Sequence, residues 1–511
     1  MSPSFSIVHR CGVSNWSSCV ILIVPNFSKK MSITQESQID ALNLQKFVAE
    51  KWDEEIVPCL TDYIRIPCKS PHFDEEWTKH GYIDDAVELA LQWARQQNVE
   101  GISLEVIRLE NRTPVLFFEI SGDLPSTILM YGHLDKQPEM MGWEEGLGPW
   151  SPVIRDGKLY GRGGADDGYA IFASITAISS LQRQGIKIPR TVGIIECCEE
   201  SGSYDLPFYL EHLRTRIRNV DFVIGLDSGC GNYDQLWGTT SLRGMAAGTL
   251  TVEILKEGVH SGDASGVVPS SYRIIRNILE RIEDSRDGRI IPSDFWADIP
   301  EERKEQARLA GEVLGDTLTN RFPFVRDAKA MSADYGELVL NRTWRPYLSV
   351  IGSDHVPPVR DAGNVLRPKT ALKLSLRLPP TIDGDYASRK LKQILESDPP
   401  YGASVKFELD QSATGWHAPP TADWLAHALH EASESVFSRN AVLMGEGGTI
   451  PFMAMLGEYF PNAQFLITGV LGPKSNAHGP NEFLHIPYGK KLTECVAKII
   501  ERFSLNFEHT S

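Results

Sequence analysis

The sequence predicts an α/β fold: a sheet covered by helices on both faces, interrupted by a smaller ferredoxin-like βαββαβ domain. Three observations predict it. The chain has 511 residues, too many for one compact core and enough for roughly two domains. Over its first half, apolar strand-like runs alternate with helical ones, and several of the runs are continuously apolar, as strands buried on both faces are. After "WGTTSLRG" the texture changes to strands and helices in the order β-α-β-β-α-β, the split-βαβ pattern with a one-faced sheet.

From Gln38 to Ile66 apolar residues fall at Leu44, Val48, Trp52, Ile56, Leu60 and Ile64. That four-residue spacing predicts an amphipathic helix kinked near Pro58. "YIDDAVELALQWARQQ" is a second helix, and "SLEVIRLE", "PVLFFEIS" and "STILMYG" are strands. "DGYAIFASITAISSLQRQG" is a buried helix ending on glycine, followed by strand "RTVGIIEC", helix "PFYLEHLRTR" and strand "DFVIGLD". The smaller domain, residues 242–414, begins with strand "AAGTLTVEILKEG" and helix "PSSYRIIRNILERIED". A long insertion from Ser285 to Arg345 follows, helical at "PEERKEQARLAGEVLGDTL". Strands "PYLSVIG" and "TALKLSLRL", helix "DYASRKLKQILES" and strand "ASVKFELD" complete it. The α/β texture resumes over 415–511 with helix "TADWLAHALHEASESVF", a helix after "GGTIPF", strand "AQFLITGV" and a last helix from Tyr488 to Phe503. Residues 31–241 and 415–511 therefore form one interrupted domain.

Composition narrows the function. Net charge is −16, from 51 Lys and Arg against 67 Asp and Glu. Such a surface repels phosphate backbones, so nucleic acid and anionic membranes are excluded as partners. Eight cysteines without a Cys-x-x-Cys read as reduced thiols of a cytoplasmic protein. Any bound metal must then use histidines and carboxylates. "CVILIV" is far short of the ~20 residues of a membrane span, and no small-residue cleavage site follows it. Met31 opens "MSITQESQIDALNLQKF", so residues 1–30 are expected to be a disordered extension or a mis-assigned start.

The chemistry-bearing residues follow the apolar strands, and open α/β sheets bind ligands beyond the carboxyl ends of their strands. "TILMYG" runs into His133 and Asp135, "VGIIECC" into Glu199 and Glu200, and "FVIGL" into Asp227. "AQFLITGVLG" leads to His478 in "SNAHGPNE", with His485 the rival seven residues on. "YGRGGADDGYA" adds Asp166 and Asp167 in a glycine-rich turn, where they would otherwise cap the next helix. Two divalent ions sharing a carboxylate and a hydroxide need this mixture of oxygen and imidazole donors. With His133 and Asp227 on one ion, Glu200 and His478 on the other, and Asp166 bridging, three carboxylates and a hydroxide neutralise two zinc ions. Glu199 is then free to take a proton, and Asp135 to orient His133 from behind. "GRGGAD" lacks the spacing of a dinucleotide-binding turn.

These stretches resemble the co-catalytic dinuclear zinc peptidase family of carnosine dipeptidase, glutamate carboxypeptidase, succinyl-diaminopimelate desuccinylase and aminoacylase. The matching motifs are "GHLDKQP", "YGRGGADDG", "EESGS", "LDSG" and "NAHGPNE", in family order from about residue 40 onward. The carnosine-dipeptidase-like branch is the nearest, through "GHLDKQP" and the length of the inserted domain. The resemblance implies a zinc-peptidase catalytic domain with a lid that dimerises, and two Zn2+ per subunit, with Mn2+ or Co2+ as substitutes. It implies His133, Asp166, Glu200, Asp227 and His478 as ligands, Glu199 as general base, and a cis peptide between Asp166 and Asp167. In the lid, "GVHSGDASG" makes His260 the histidine that enters the partner's active site to support the oxyanion. "GNVLRPKTALKLSLRL" makes Asn364 and Arg377 substrate contacts, and "EGGTIPF" adds Thr449. The family's usual Asp-Asp-Lys-Gly is here Asp166-Asp167-Gly168-Tyr169, which changes the turn but no ligand.

The expected activity is hydrolysis of the amide next to a free carboxylate, in dipeptides or short peptides, by metal-bound hydroxide. An N-acyl amino acid deacylase is the alternative within the family. A catalytically silent binding protein is the alternative of another class, and it would lack a ligand or the base; none is missing.

Overall fold

A computed structural model describes residues 36–507; the expectation for residues 1–30 lies outside them. The larger sheet has six strands in the order 102–107, 115–120, 189–196, 124–133, 222–225 and 464–467. The last four run parallel to one another, and 115–120 pairs antiparallel with 189–196. Apart from the edge strand 102–107, these strands are buried along almost their whole length; in Leu124–His133 only Pro125 is exposed. Helices Ala170–Arg183 and Ile486–Leu505 pack together on one face in the main core. Helix Leu206–Ile217 and helix Pro451–Tyr459 contribute to a second cluster with side chains from the other.

The smaller sheet is antiparallel, ordered 347–354, 369–378, 244–253 and 404–413. Helices Ser271–Leu279 and Gly384–Glu396 pack on one face of it, around Ile274, Ile278, Leu374, Leu391 and Phe407. This is the ferredoxin-like arrangement expected from the βαββαβ order.

Two local features differ from the sequence expectation. The first helix does not simply kink at Pro58. Ala41–Lys51 and Val57–Arg65 are joined by a π-helical turn, Trp52–Ile56, closed by the Val57 N–H donating to the Trp52 carbonyl. Proline offers no N–H, and a wider turn immediately before it absorbs the missing bond. The second concerns the long insertion. Its helices Glu301–Leu314 and Tyr335–Thr343 pack against strand Val442–Glu446, and Ala310, Leu314 and Leu340 join the main core. In sequence they interrupt the small sheet; in space they belong to the larger core.

No helix among the described residues is long and apolar enough to cross a membrane. The six described cysteines are all unpaired.

Candidate metal centre

Parallel pairing of strands 124–133 and 189–196 sets His133 opposite Glu196, so the residues that follow both strands share one rim. Gly132 is needed there. A Cβ on it would lie 2.7 Å from Ala170 Cβ and 2.8 Å from Asp167 Oδ2, so only glycine admits the turn that carries the two aspartates. That turn, Gly164–Gly168, leaves helical geometry at Asp166 and Asp167, both at φ −127°, with a cis bond between them. Gly163 enters it at φ +83°, against the methylenes of Lys136.

The result is two groups of donors that share Asp166: His133, Asp166 and Asp227, and Asp166, Glu200 and His478. His133 Nε2 lies 3.5 Å from Asp166 Oδ1 and 3.7 Å from Asp227 Oδ2. His478 Nε2 lies 3.0 Å from the other oxygen, Asp166 Oδ2, and 3.4 Å from Glu200 Oε2. All five predicted ligands therefore converge. Glu199 belongs to neither group; its Oε2 is 4.0 Å from His133 Nε2.

Supporting groups hold these donors in place. The Asp135 carboxylate accepts the backbone N–H groups of Glu199 (3.1 Å) and Glu200 (3.0 Å). The Asp135 backbone carbonyl, rather than its carboxylate, is closest to His133 Nδ1, at 3.1 Å against 3.5 Å. Asp167 does not cap the following helix; its Oδ2 accepts the His133 backbone N–H at 3.2 Å. Gln137 Nε2 donates to Glu200 Oε2 at 2.6 Å. Buried Arg162 pairs with buried Glu482 and donates to the carbonyls of His478 and Gly479. Gln137, Arg162 and Glu482 were not singled out from the sequence, although all three lie within or beside the motifs "GHLDKQP", "YGRGGADDG" and "NAHGPNE". His485 is elsewhere: it caps the last helix and stacks on Tyr233.

The donors fit divalent cations. His133 Nε2 and Glu200 Oε1 are buried without a hydrogen-bond partner. Burial and the charges of neighbouring acids push the Glu200 carboxyl up to about 8, and burial moves Asp227 up to about 6. Burial pulls His478 down, but its bond to Asp166 and the surrounding acids outweigh this and lift it to about 9. A group of buried acids that holds protons and imidazolium charge is one that lacks positive charge.

A cavity of about 970 Å³ opens from this cluster. Arg377 and Thr449 line it, with Arg377 Nη1 donating to Thr449 Oγ1 at 3.1 Å. His260 and Asn364 do not line it. Both are exposed: His260 lies on a two-stranded ribbon, 259–260 with 365–366, and Asn364 just precedes its second strand, where the Ser261 N–H donates to the Asn364 carbonyl.

A family model for peptidases M20/M25/M40 matches residues 129–502. The chain belongs to peptidase family M20/M25/M40. Every donor described above lies inside the matched span. A cysteinylglycine-S-conjugate dipeptidase of Corynebacterium striatum is 26% identical over 407 residues, 78% of this chain and 86% of that one. A Beta-Ala-His dipeptidase of Mus musculus is 27% identical over 371 residues, 70% and 72% of the two chains. Among solved structures, the dipeptidase Dug1p of Saccharomyces cerevisiae aligns with a TM-score of 0.71 at 21% identity, over 92% of this chain and 99% of that one. Human carnosine dipeptidase 1 gives 0.69 at 21% identity, over 91% and 100%. These likenesses establish the M20 fold, a catalytic domain plus a lid. As a family member, the chain is a metal-dependent hydrolase of amide bonds.

Proposed function

We propose that the chain is a dipeptidase that works with two zinc ions, cleaving the amide next to a free carboxylate. The observation that carries this reading is the sharing of Asp166 between two donor groups, one oxygen toward His133 and the other toward His478. His133, Asp166 and Asp227 would hold one ion, and Asp166, Glu200 and His478 the other. Bound there, the ions would acidify a water toward a pKa of ~7 and polarise the scissile carbonyl.

The protein's own groups do the rest. Glu199, beside both donor groups and in neither, takes the proton of the attacking water and passes it to the leaving amine. Asp135 fixes the Glu199–Glu200 backbone, so base and ligand keep their spacing. Arg377 receives the substrate's free carboxylate, a match of planar fork to planar acceptor, and Thr449 holds Arg377 in place. His260 and Asn364 complete the site from the partner subunit of a homodimer formed through the lid. Their exposure supports that assignment, as do Val350 and Ile351 on the outer strand of the small sheet, 50% and 61% exposed. A cytoplasmic location fits the unpaired cysteines.

The cysteinylglycine-conjugate and Beta-Ala-His specificities named for the relatives define the test. Purified protein is assayed on a dipeptide panel and on N-acetyl amino acids, with and without chelator. Dipeptide turnover that chelation abolishes supports the reading. Turnover of the acetylated amino acids alone replaces it with the deacylase.

A further inference from the structure

We propose that an arginine-lined part of the cavity is a subsite for a second carboxylate, so that the preferred dipeptides end in aspartate or glutamate. The inference rests on the dipeptidase reading for its orientation, because it takes Arg377 as the site of the main-chain carboxylate.

Three guanidinium groups from distant segments converge on the loop Glu446–Thr449. Arg243 precedes strand 244–253, Arg342 sits on helix Tyr335–Thr343 of the insertion, and Arg377 is the penultimate residue of strand 369–378. Arg243 Nε donates to the Gly447 carbonyl at 3.2 Å, and Arg377 Nη1 to Thr449 Oγ1. Arg342 Nη2 lies 3.4 Å from Glu446 Oε2. Gly447 lies between two of them. A Cβ there would be 3.1 Å from Arg342 Cγ and 3.3 Å from Arg243 Nη2. Glycine there lets Arg342 and Arg243 close on the loop, and the cavity wall includes Arg342 and Arg377.

The charges do not balance. Among the described residues Glu446 is the only carboxylate within ion-pair distance of these three arginines. The acids of the metal centre do not serve, since their ion pairs run to His133 and His478. Arg342 Nε is buried with no hydrogen-bond partner. Arg321, also on the cavity wall, has no ion pair among the described residues. Burial and the charges of Arg377 and Arg342 pull Arg243 down to about 10. Guanidinium is held charged at neutral pH, so crowding of this kind is costly unless an anion relieves it.

A dicarboxylate supplies that anion. Arg377 and Arg342 both contact one short loop, through Thr449 and Glu446, and the two carboxylates of a terminal aspartate or glutamate are separated by a few bonds. The α-carboxylate faces Arg377 and the side-chain carboxylate faces Arg342, each offered a fork of N–H donors. Glutamine at the same position keeps the shape and loses the charge.

Titration calorimetry of the metal-loaded full chain with L-glutamate and L-glutamine reads the subsite without turnover. The expected result is glutamate at least about ten-fold tighter, a difference of about 1.4 kcal/mol. The ratio should fall toward one in Arg342→Gln. It should fall likewise in the double variant Arg342→Gln/Glu446→Gln, which removes both partners and leaves no lone charge if the single variant folds poorly. In parallel, kcat/KM for Ala-Glu should exceed that for Ala-Gln, and Arg342→Gln should lower the first far more than the second. Equal binding of the two amino acids, or a ratio untouched by both variants, overturns the subsite. Equal hydrolysis of both dipeptides also overturns it and leaves the dipeptidase reading intact. Glutamate preference in binding with neither dipeptide hydrolysed keeps the subsite and removes that reading.

Discussion

Arg162 and Glu482 form a fully buried ion pair that ties the two loops of the metal centre together. Glu482 also accepts the Gly163 N–H at 2.8 Å, while Arg162 donates to the carbonyls of His478 and Gly479. The loop carrying Asp166 and the loop carrying His478 are thereby held in register.

Removing one member of that pair leaves a buried charge without a counter-charge. Arg162→Met should cost about 3–5 kcal/mol of stability. It should also weaken metal retention at the His478 side more than at the His133 side. Chemical denaturation together with metal analysis of the variant checks both.

Glu199→Gln keeps the shape of the side chain and takes away its capacity to accept a proton. Metal content should match wild type while kcat falls about 10²–10⁴-fold, the usual worth of a general acid–base group. Normal turnover in this variant would show that the proton is handled elsewhere.

Asp135→Asn tests positioning. Both carboxylate oxygens of Asp135 accept backbone N–H groups, and an amide would turn one acceptor into a donor facing a donor. Activity or metal affinity should drop about 10–100-fold, as for comparable supporting partners. The His133 contact to the Asp135 carbonyl should survive, so the fold and melting cooperativity should be kept.

His417 gives a pH dependence separate from the metal centre. Burial, with Arg303 nearby, holds its pKa down to about 4, Glu302 offsetting this in part. Its Nδ1 is buried without a partner, and its ring meets Trp344 edge-on. The folded pKa lies below the ordinary value of 6.5, so the unfolded chain binds the proton more readily between those limits. Stability from this group is therefore present above pH 6.5 and lost as pH falls toward 4. His417→Gln should flatten the acid limb of a melting-temperature profile over that window; an unchanged limb would assign the acid sensitivity to other groups.

The rim of the larger sheet is legible in the sequence because His133, Glu199, Glu200 and Asp227 each follow a continuously apolar run, and such runs end at a common edge in a parallel sheet. The small sheet is legible from alternation and element order. What the sequence hides depends on tertiary path. Helices 301–314 and 335–343 read as part of the inserted domain, but their apolar faces find the larger core, and only that excursion brings Arg342 beside Arg243 and onto the cavity wall with Arg377. The Asp135 carbonyl contact is hidden for a different reason, since backbone acceptors carry no residue-type signature.

The most direct test of the account is the metal content of the purified chain and of Asp166→Asn, together with the position of the ions by anomalous diffraction. The account predicts two ions per wild-type chain, each reached by one oxygen of Asp166, and loss of both ions with all dipeptide turnover in the variant. A single ion, a pair that Asp166 does not touch, or full activity after the metal is stripped would contradict it.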